Sequence, residues 1–171
     1  MRLKVLAGSM VVLVAGCSAG GAGDDPTPQG AAPLLQGEVS VADPGAALKQ
    51  ATFDGPKGRF ELAVVSLTAK GRLANLTLSL TPHYPGKTSV LAFLYFSGDY
   101  PVVSLVDPVG LKRYLVVKDS AGNMLGSGNE NYNVDQPNTL NYTFAAPPEN
   151  VASVDVHFDD FPPFRNVPVS R

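Results

Sequence analysis

The sequence predicts an all-β fold: an antiparallel immunoglobulin-like β-sandwich of about seven to eight strands, preceded by a signal peptide and a disordered tether. From Gly58 onward, apolar and polar residues alternate with a period of two, which is typical of half-buried strands. Turn residues interrupt this pattern frequently, and the chain holds 15 prolines and 17 glycines. These features favour a sandwich, although a small antiparallel barrel is compatible with the same alternation.

The N-terminal residues 1–16 have the pattern of a lipoprotein signal peptide. Arg2 and Lys4 form a positive segment, and the apolar run that follows is too short to span about 30 Å of hydrocarbon. Small residues then lead to Cys17, the single cysteine of the chain. This matches the site at which a bacterial lipoprotein is cleaved and lipidated. We therefore expect Cys17 to carry a lipid such as palmitate and to hold the mature chain at the extracytoplasmic face of the cell membrane. An ordinary secretory signal with an incidental cysteine is the alternative.

Residues 17–57 are predicted to form a mostly disordered linker. Residues 18–33 are rich in glycine, alanine and proline and hold few side chains that folding would bury, so they do not offset the entropy cost of ordering. The later part of the linker is ambiguous. Residues 39–41 have the composition of a short strand, whereas Asp43-Pro44 has the N-cap and first-turn proline of a helical turn continuing to residue 49.

The folded domain is expected over residues 58–171, where each strand is recognised by its apolar face. The clearest alternation runs through Leu76, Leu78 and Leu80, with hydroxyl residues between them. Residues 90–96 are apolar on both faces, as expected for a central strand; a buried helix is the competing interpretation. The other predicted strands lie at residues 60–64, 102–106, 113–118, 124–125, 140–144, 154–158 and 167–169.

Composition and charge narrow the classes of function. The formal net charge is −2, and no cluster of lysine and arginine offers a phosphate-binding face, so nucleic acid is not an expected partner. His83 lies in a proline-bounded turn, and within the predicted domain over residues 58–171 no Gly-x-Ser-x-Gly segment presents a nucleophilic serine. We therefore expect no enzyme activity and no cofactor.

One candidate metal site consists of Asp155, His157 and Asp159. In a strand these residues point to the same face, and carboxylate–imidazole sets bind zinc or calcium. Residues two apart in a strand are separated by about 6.6–7 Å at Cα, which is awkward for three ligands on one ion. A solvated face opposite Val154 and Val156 explains the same residues, and no metal is expected.

Two segments that begin at Asn75 and Asn141 match the N-glycosylation motif Asn-x-Thr. Both lie in predicted strands rather than in surface loops. A bacterial lipoprotein also lacks the general pathway that modifies this motif, so no glycan is expected.

Two tyrosines are the candidate partner-binding residues. Tyr132 lies in the polar loop over residues 126–137, and Tyr100 lies between two predicted strands. Loops at the ends of sandwiches commonly bind partners, and tyrosine is a good anchor. The alternative for Tyr132 is that it folds back and closes the core, and the sequence does not separate the two. Phe161 and Phe164 are expected to cap the core, because two exposed phenylalanines would form an uncommon apolar patch.

Several segments resemble the immunoglobulin-like domain of small, largely uncharacterised actinobacterial surface lipoproteins, over about residues 58–169. The resemblance implies the sandwich fold, and because its motifs are strand and turn residues it implies no catalytic chemistry. The segments are Val106-Asp107-Pro108, Lys112-Arg113-Tyr114-Leu115-Val116-Val117, Asp119-Ser120-Ala121-Gly122 and Phe161-Pro162-Pro163-Phe164.

These observations predict a membrane-anchored extracytoplasmic lipoprotein that serves as a non-enzymatic binding or structural module of the cell envelope. Its expected partners are the membrane, through the lipid on Cys17, and another envelope protein. The alternative is a carrier of a small ligand or lipid, with a cavity between the two sheets.

Overall fold

The computed structural model describes residues 47–96, 101–128 and 130–171, with only the backbone at positions 93 and 94. The predicted signal peptide, Cys17, most of the predicted linker and Tyr100 lie outside the described residues. The described chain forms ten strands and one helix of four residues. In chain order they are β1 Lys49–Gly55, β2 Gly58–Lys70, β3 Leu73–Pro82, β4 Ser89–Leu91, α1 Ala92–Tyr95, β5 Val103–Asp107, β6 Lys112–Leu115, β7 Asn131–Asn133, β8 Asn138–Ala145, β9 Ser153–Phe158 and β10 Phe164–Pro168.

Two four-stranded antiparallel sheets enclose the core. The first has the order β1-β2-β3-β8, the second has the order β10-β9-β5-β6, and β4 pairs with β7 separately. Alternating residues of both sheets meet in a single apolar cluster, which includes Leu62, Leu78, Leu140, Leu105 and Val156. The predicted all-β antiparallel class is therefore confirmed, and the arrangement is sandwich-like. The described strands exceed the predicted seven to eight because short elements such as β4 and β7 carry no alternation that a pattern search detects.

Strand β1 lies in the segment that was predicted to be linker. It pairs with β2 in a continuous register from Lys49↔Val64 to Gly55↔Gly58. The sheet thus begins before the predicted domain boundary at residue 58, and a helical turn that reaches Lys49 is wrong. Only one apolar side chain of this strand, Phe53, is large, so its alternation is weak in the sequence.

Residues 90–96 do not form the predicted central strand. The chain leaves β4 at Leu91 and makes the single turn of α1, in which Ala92 and Tyr95 are fully buried. The Tyr95 hydroxyl donates to the backbone oxygens of Gly58 at 3.1 Å and Arg59 at 2.8 Å. Burial raises the pKa of Tyr95 to about 12.

Across the described residues, no helix is long and apolar enough to cross a membrane.

The two phenylalanines of the closing Phe-Pro-Pro-Phe segment cap one end of the core. The ring of Phe161 lies 5.0 Å from that of Phe60 and 5.2 Å from that of Phe53, measured between centroids. Phe164 is 7% exposed and contacts Phe53 edge-on. Phe164 is thus buried and Phe161 is partly buried against the core, which confirms the capping prediction.

At each side of the sandwich, the chain crosses from the second sheet to the first. Ser170, just after β10, forms a parallel bridge with Thr68 of β2. Val116, just after β6, forms an antiparallel bridge with Phe144 of β8. The crossing after β6 positions the site described next.

Candidate functional site

An apolar cleft lies where the chain leaves the edge of the second sheet. After Leu115 the backbone turns toward β8, and the Val117 N–H donates to the Thr143 carbonyl at 2.8 Å. The chain then reverses and returns, so that the Thr143 N–H donates to the Leu125 carbonyl at 2.9 Å. Because this excursion pairs with the first sheet, it leaves a gap against β5 and β6, which belong to the second.

Asp119 fixes the reversal that forms one wall of the cleft. Its Oδ1 accepts the backbone N–H groups of Ala121 at 2.9 Å and Asn123 at 2.8 Å, and its Oδ2 accepts the Asn123 amide at 3.1 Å. These hydrogen bonds, led by that of the Asn123 side chain, lower the pKa of Asp119 because they stabilise the carboxylate. The wall that carries Met124 is therefore an ordered hairpin.

The cleft has a volume of about 700 Å³ and an apolar lining. Three aliphatic or thioether side chains at its mouth remain well exposed: Val102 is 64% exposed, Leu115 63% and Met124 57%. Tyr142 lies at its base with 5% exposure, and burial raises the pKa of its hydroxyl. The polar rim includes Lys118 and Asn123. Such a surface is suited to an apolar group, and the Lys118 ammonium could pair with a negative charge on that group.

Gly126 keeps the base of the cleft open. A Cβ atom at this position would lie 2.6 Å from Cδ1 of Tyr142, so any larger residue would displace the ring. The alternation of the strands did not predict this cleft. The one sequence feature that pointed to the cleft was Leu115, an apolar residue on the same face of its strand as Arg113, where the alternation predicts a polar residue.

A second, polar groove surrounds His83. Its Nδ1 lies 2.6 Å from Oδ1 of Asp135, and its Nε2 lies 3.6 Å from Oε1 of Glu61. A histidine oriented by a carboxylate acts as a base when a nucleophile faces its other nitrogen. In the described part of this groove that position is taken by Glu61, and no serine, threonine or cysteine is among the lining residues. The arrangement holds the turn after β3 against the turn between β7 and β8.

Of the three residues of the candidate metal site, Asp155 has a structural role. Asp155 is 7% exposed, and its Oδ1 accepts the Asn166 N–H at 2.9 Å. Asn166 lies in the bulge between Phe164 and Val167, so Asp155 stabilises an irregularity of β10. The prediction that Asp155 belongs to a solvated face is therefore wrong. Among the described residues, no cluster of three histidine, cysteine, aspartate or glutamate side chains is arranged to hold a metal ion.

The two Asn-x-Thr segments lie side by side on β3 and β8. The Thr77 hydroxyl donates to Oδ1 of Asn141 at 3.0 Å, and the Thr143 hydroxyl donates to Oδ1 of Asn75 at 3.1 Å. Each asparagine is thus opposite the threonine of the other segment. The repeated motif is explained by cross-strand hydrogen bonds on the outer face of the sheet.

Tyr132 is buried, so its assignment as a partner-binding residue is wrong. It is the central residue of β7, lies opposite Val90 of β4, and is 2% exposed. Burial also raises the pKa of its hydroxyl. Of the two interpretations of the 126–137 loop, the structure thus favours closure of the core by Tyr132. The second candidate, Tyr100, lies outside the described residues.

Replacing Tyr132 with alanine should lower the free energy of unfolding by about 3–5 kcal/mol, since it removes a fully packed aromatic side chain. Urea unfolding followed by circular dichroism measures the change. The matched control is Asn131→Ala, because Asn131 is an exposed neighbour on the same strand and its loss should stay within about 0.5 kcal/mol. Equal effects for the two variants would contradict the burial of Tyr132.

Comparison of the chain with family models, with curated proteins and with solved structures gave no match in any of the three. The features that bear on function are therefore the chemistry of the cleft and the N-terminal sequence pattern.

Proposed function

We propose that this chain is an extracytoplasmic lipoprotein, held at the cell membrane by a lipid on Cys17, with a sandwich of immunoglobulin-like type that is a non-enzymatic binding module. The support for the anchor is the positive segment at Arg2 and Lys4, the short apolar run, and the small residues before Cys17. Labelling of cells with a palmitate analogue tests it: the chain should take up label, and the Cys17→Ala variant should not. A label retained by the variant, or no label on either chain, contradicts the anchor.

The observation that carries the binding role is the apolar cleft beside the edge strand β6. An edge strand offers unpaired backbone groups to an added strand, and the neighbouring cleft accepts apolar side chains. The partner that fits both features is an extended apolar segment of another envelope protein. Backbone pairing with β6 would supply affinity, and the cleft between Leu115 and Met124 would select the side chains.

A photoreactive amino acid at position 124 tests this proposal in intact cells. The expected result is a crosslink to an envelope protein that the same probe at position 73 does not form. Leu73 is a suitable control because it is also a partly exposed apolar residue, 45% exposed against 57% for Met124, and does not line the cleft. The crosslink should disappear when Leu115 is changed to aspartate. Equal crosslinking from both positions, or insensitivity to Leu115→Asp, contradicts the proposal.

A second candidate function, a carrier of a small apolar ligand, is favoured by the size of the cleft. Its volume of about 700 Å³ falls within the range of roughly 300–1,000 Å³ found for small-molecule sites. Lys118 at the rim suits a ligand with an anionic end, such as a fatty acid. Native mass spectrometry of the purified protein separates the candidates: a carrier retains a co-purified ligand that is lost on Leu115→Asp, whereas a protein-binding module is recovered without one.

A further inference from the structure

The turn between β5 and β6 presents two aliphatic side chains to solvent. Val109 is 92% exposed and Leu111 is 87% exposed, the highest values among the large apolar residues of the described chain. Neither belongs to the core cluster or to the residues packed against it. Single exposed apolar residues are common, but two at one projecting turn form a site that excludes water only when something covers it.

The turn is ordered by a buried carboxylate. Asp107 is 4% exposed, and its Oδ1 accepts the backbone N–H groups of Val109 at 3.0 Å and Gly110 at 2.9 Å. These hydrogen bonds hold the residues that follow β5 in one conformation. A preorganised turn loses little conformational entropy when its side chains enter a new environment.

Leucine is also an unfavourable choice for the backbone at position 111. Its φ is 51°, in the left-handed region, where glycine and asparagine are better tolerated than a larger residue. Leu111 is therefore unfavourable for its backbone conformation, and its apolar side chain is not buried. A residue that is unfavourable for its backbone conformation and that leaves an apolar side chain exposed indicates contact with another molecule.

Positive side chains follow the two aliphatic ones. Lys112 and Arg113 are both exposed at the start of β6. The turn between β2 and β3 lies at the same end of the sandwich and adds the positive side chains of Lys70 and Arg72. The connection between β8 and β9 contributes one exposed acidic residue to this end, Glu149. Apolar side chains next to lysine and arginine match the interface of a membrane that contains anionic lipids.

The strand directions place this turn at the end from which the chain enters the first sheet. Ser170 bridges Thr68 in parallel, and β9 is antiparallel to both β10 and β5, so β5 runs parallel to β2. Because β1 is antiparallel to β2, it runs away from the end where the β5–β6 turn lies. The described chain therefore enters β1 heading away from that turn.

We propose that the β5–β6 tip, defined as Val109, Leu111, Lys112 and Arg113, is a membrane-contact site for anionic lipids. The two aliphatic side chains enter the headgroup–acyl boundary, while the lysine and arginine bind lipid phosphates. This contact is a property of the folded domain and does not depend on lipidation of Cys17. It would orient the sandwich at the surface to which the lipid confines it.

The test uses the absence of tryptophan from the chain. A Val109→Trp variant of the full chain, with Cys17→Ser to prevent lipidation, carries one fluorophore at the tip. It is mixed with vesicles made of equal parts phosphatidylglycerol and phosphatidylcholine. We expect a blue shift of its emission and quenching by lipids spin-labelled near the headgroup end of the acyl chain. A Gln136→Trp control reports from the β7–β8 turn at the opposite end, and its emission should stay as in water.

Two further variants in the Val109→Trp background separate the apolar contribution to vesicle binding from the electrostatic one. Leu111→Asn suits the left-handed backbone and should weaken vesicle binding of the tip by about tenfold, because it removes one aliphatic side chain from the lipid. Lys112→Gln with Arg113→Gln should weaken binding to the anionic vesicles and leave pure phosphatidylcholine unaffected. The proposal is overturned if the emission of the Val109→Trp variant stays as in water in the presence of the vesicles, or if that of the Gln136→Trp control shifts equally. Lipidation of Cys17 is measured separately by palmitate labelling, so failure of one proposal leaves the other intact.

Discussion

Replacing Phe60 with alanine should lower the free energy of unfolding by about 4 kcal/mol, near the upper part of the range for a buried aromatic residue. The ring is fully buried and lies between the two sheets. It contacts more aromatic rings than any other side chain described, at centroid distances from 5.0 to 6.2 Å; these rings belong to Phe53, Tyr95, Phe96, Phe158 and Phe161. Removing it leaves a cavity that cannot collapse easily, because strands, α1 and the C-terminal segment all converge there.

Urea unfolding monitored by circular dichroism and by near-ultraviolet tyrosine signals measures this loss. The matched control is Phe53→Ala, since Phe53 is the cross-strand neighbour of Phe60 but is only partly buried. Its loss should be about half as large. A change below about 2 kcal/mol for Phe60→Ala would show that this aromatic cluster does not hold the two sheets together.

Gly58→Ala should destabilise the fold by about 3 kcal/mol or more, although it adds a single methyl group. Gly58 has a φ of 148°, and a Cβ atom there would collide with the backbone oxygen of His83. The obstructing atom belongs to the backbone, so no side-chain rotation relieves the contact. The carbonyls of Gly58 and Arg59 also accept the Tyr95 hydroxyl, so a shift of this strand would disturb α1 as well.

Gly71→Ala is the control for the backbone part of this effect. Gly71 also has a positive φ, of 60°, but a Cβ atom there meets nothing within 4 Å. Its replacement should cost only about 1–2 kcal/mol, which is the intrinsic penalty of a left-handed residue. The difference between the two variants in the same urea experiment measures the cost of the contact with His83 together with that of the larger φ at Gly58. If both glycines gave equal losses, the close approach of Gly58 to His83 would be refuted.

The strands with a regular period of two were predictable because burial on one face leaves a direct trace in the sequence. β3 and β9 are clear cases, since their alternate leucines or valines enter the core as expected. The capping role of Phe161 and Phe164 was equally predictable from the sequence, because exposure of both rings would be unfavourable. Where apolar residues occupy consecutive positions, as at residues 90–96, the pattern does not distinguish a buried strand from a buried helical turn. There the prediction was wrong.

Long-range pairing decided the remaining elements. β1 is a strand because β2 lies beside it, and its single large apolar residue, Phe53, was too weak a signal. Tyr132 was expected equally in a binding loop or in the core, and its pairing partner β4 is more than thirty residues away in the sequence. Asp155 was expected at the surface, but the bulge of β10 covers it and supplies a hydrogen-bond donor.

The sequence by itself determined the all-β class, turns such as that at residues 119–123, and the N-terminal pattern on which the proposed anchor rests, because each depends on residues close together in the chain. The tertiary structure alone decided where an apolar surface stays open. The cleft beside β6 exists because the chain leaves one sheet at Leu115 and pairs with the other at Phe144. Likewise, only the folded turn shows that Asp107 holds Val109 and Leu111 away from the core. Exposure of an apolar residue is a property of its neighbours in space, and those neighbours come from distant parts of the chain.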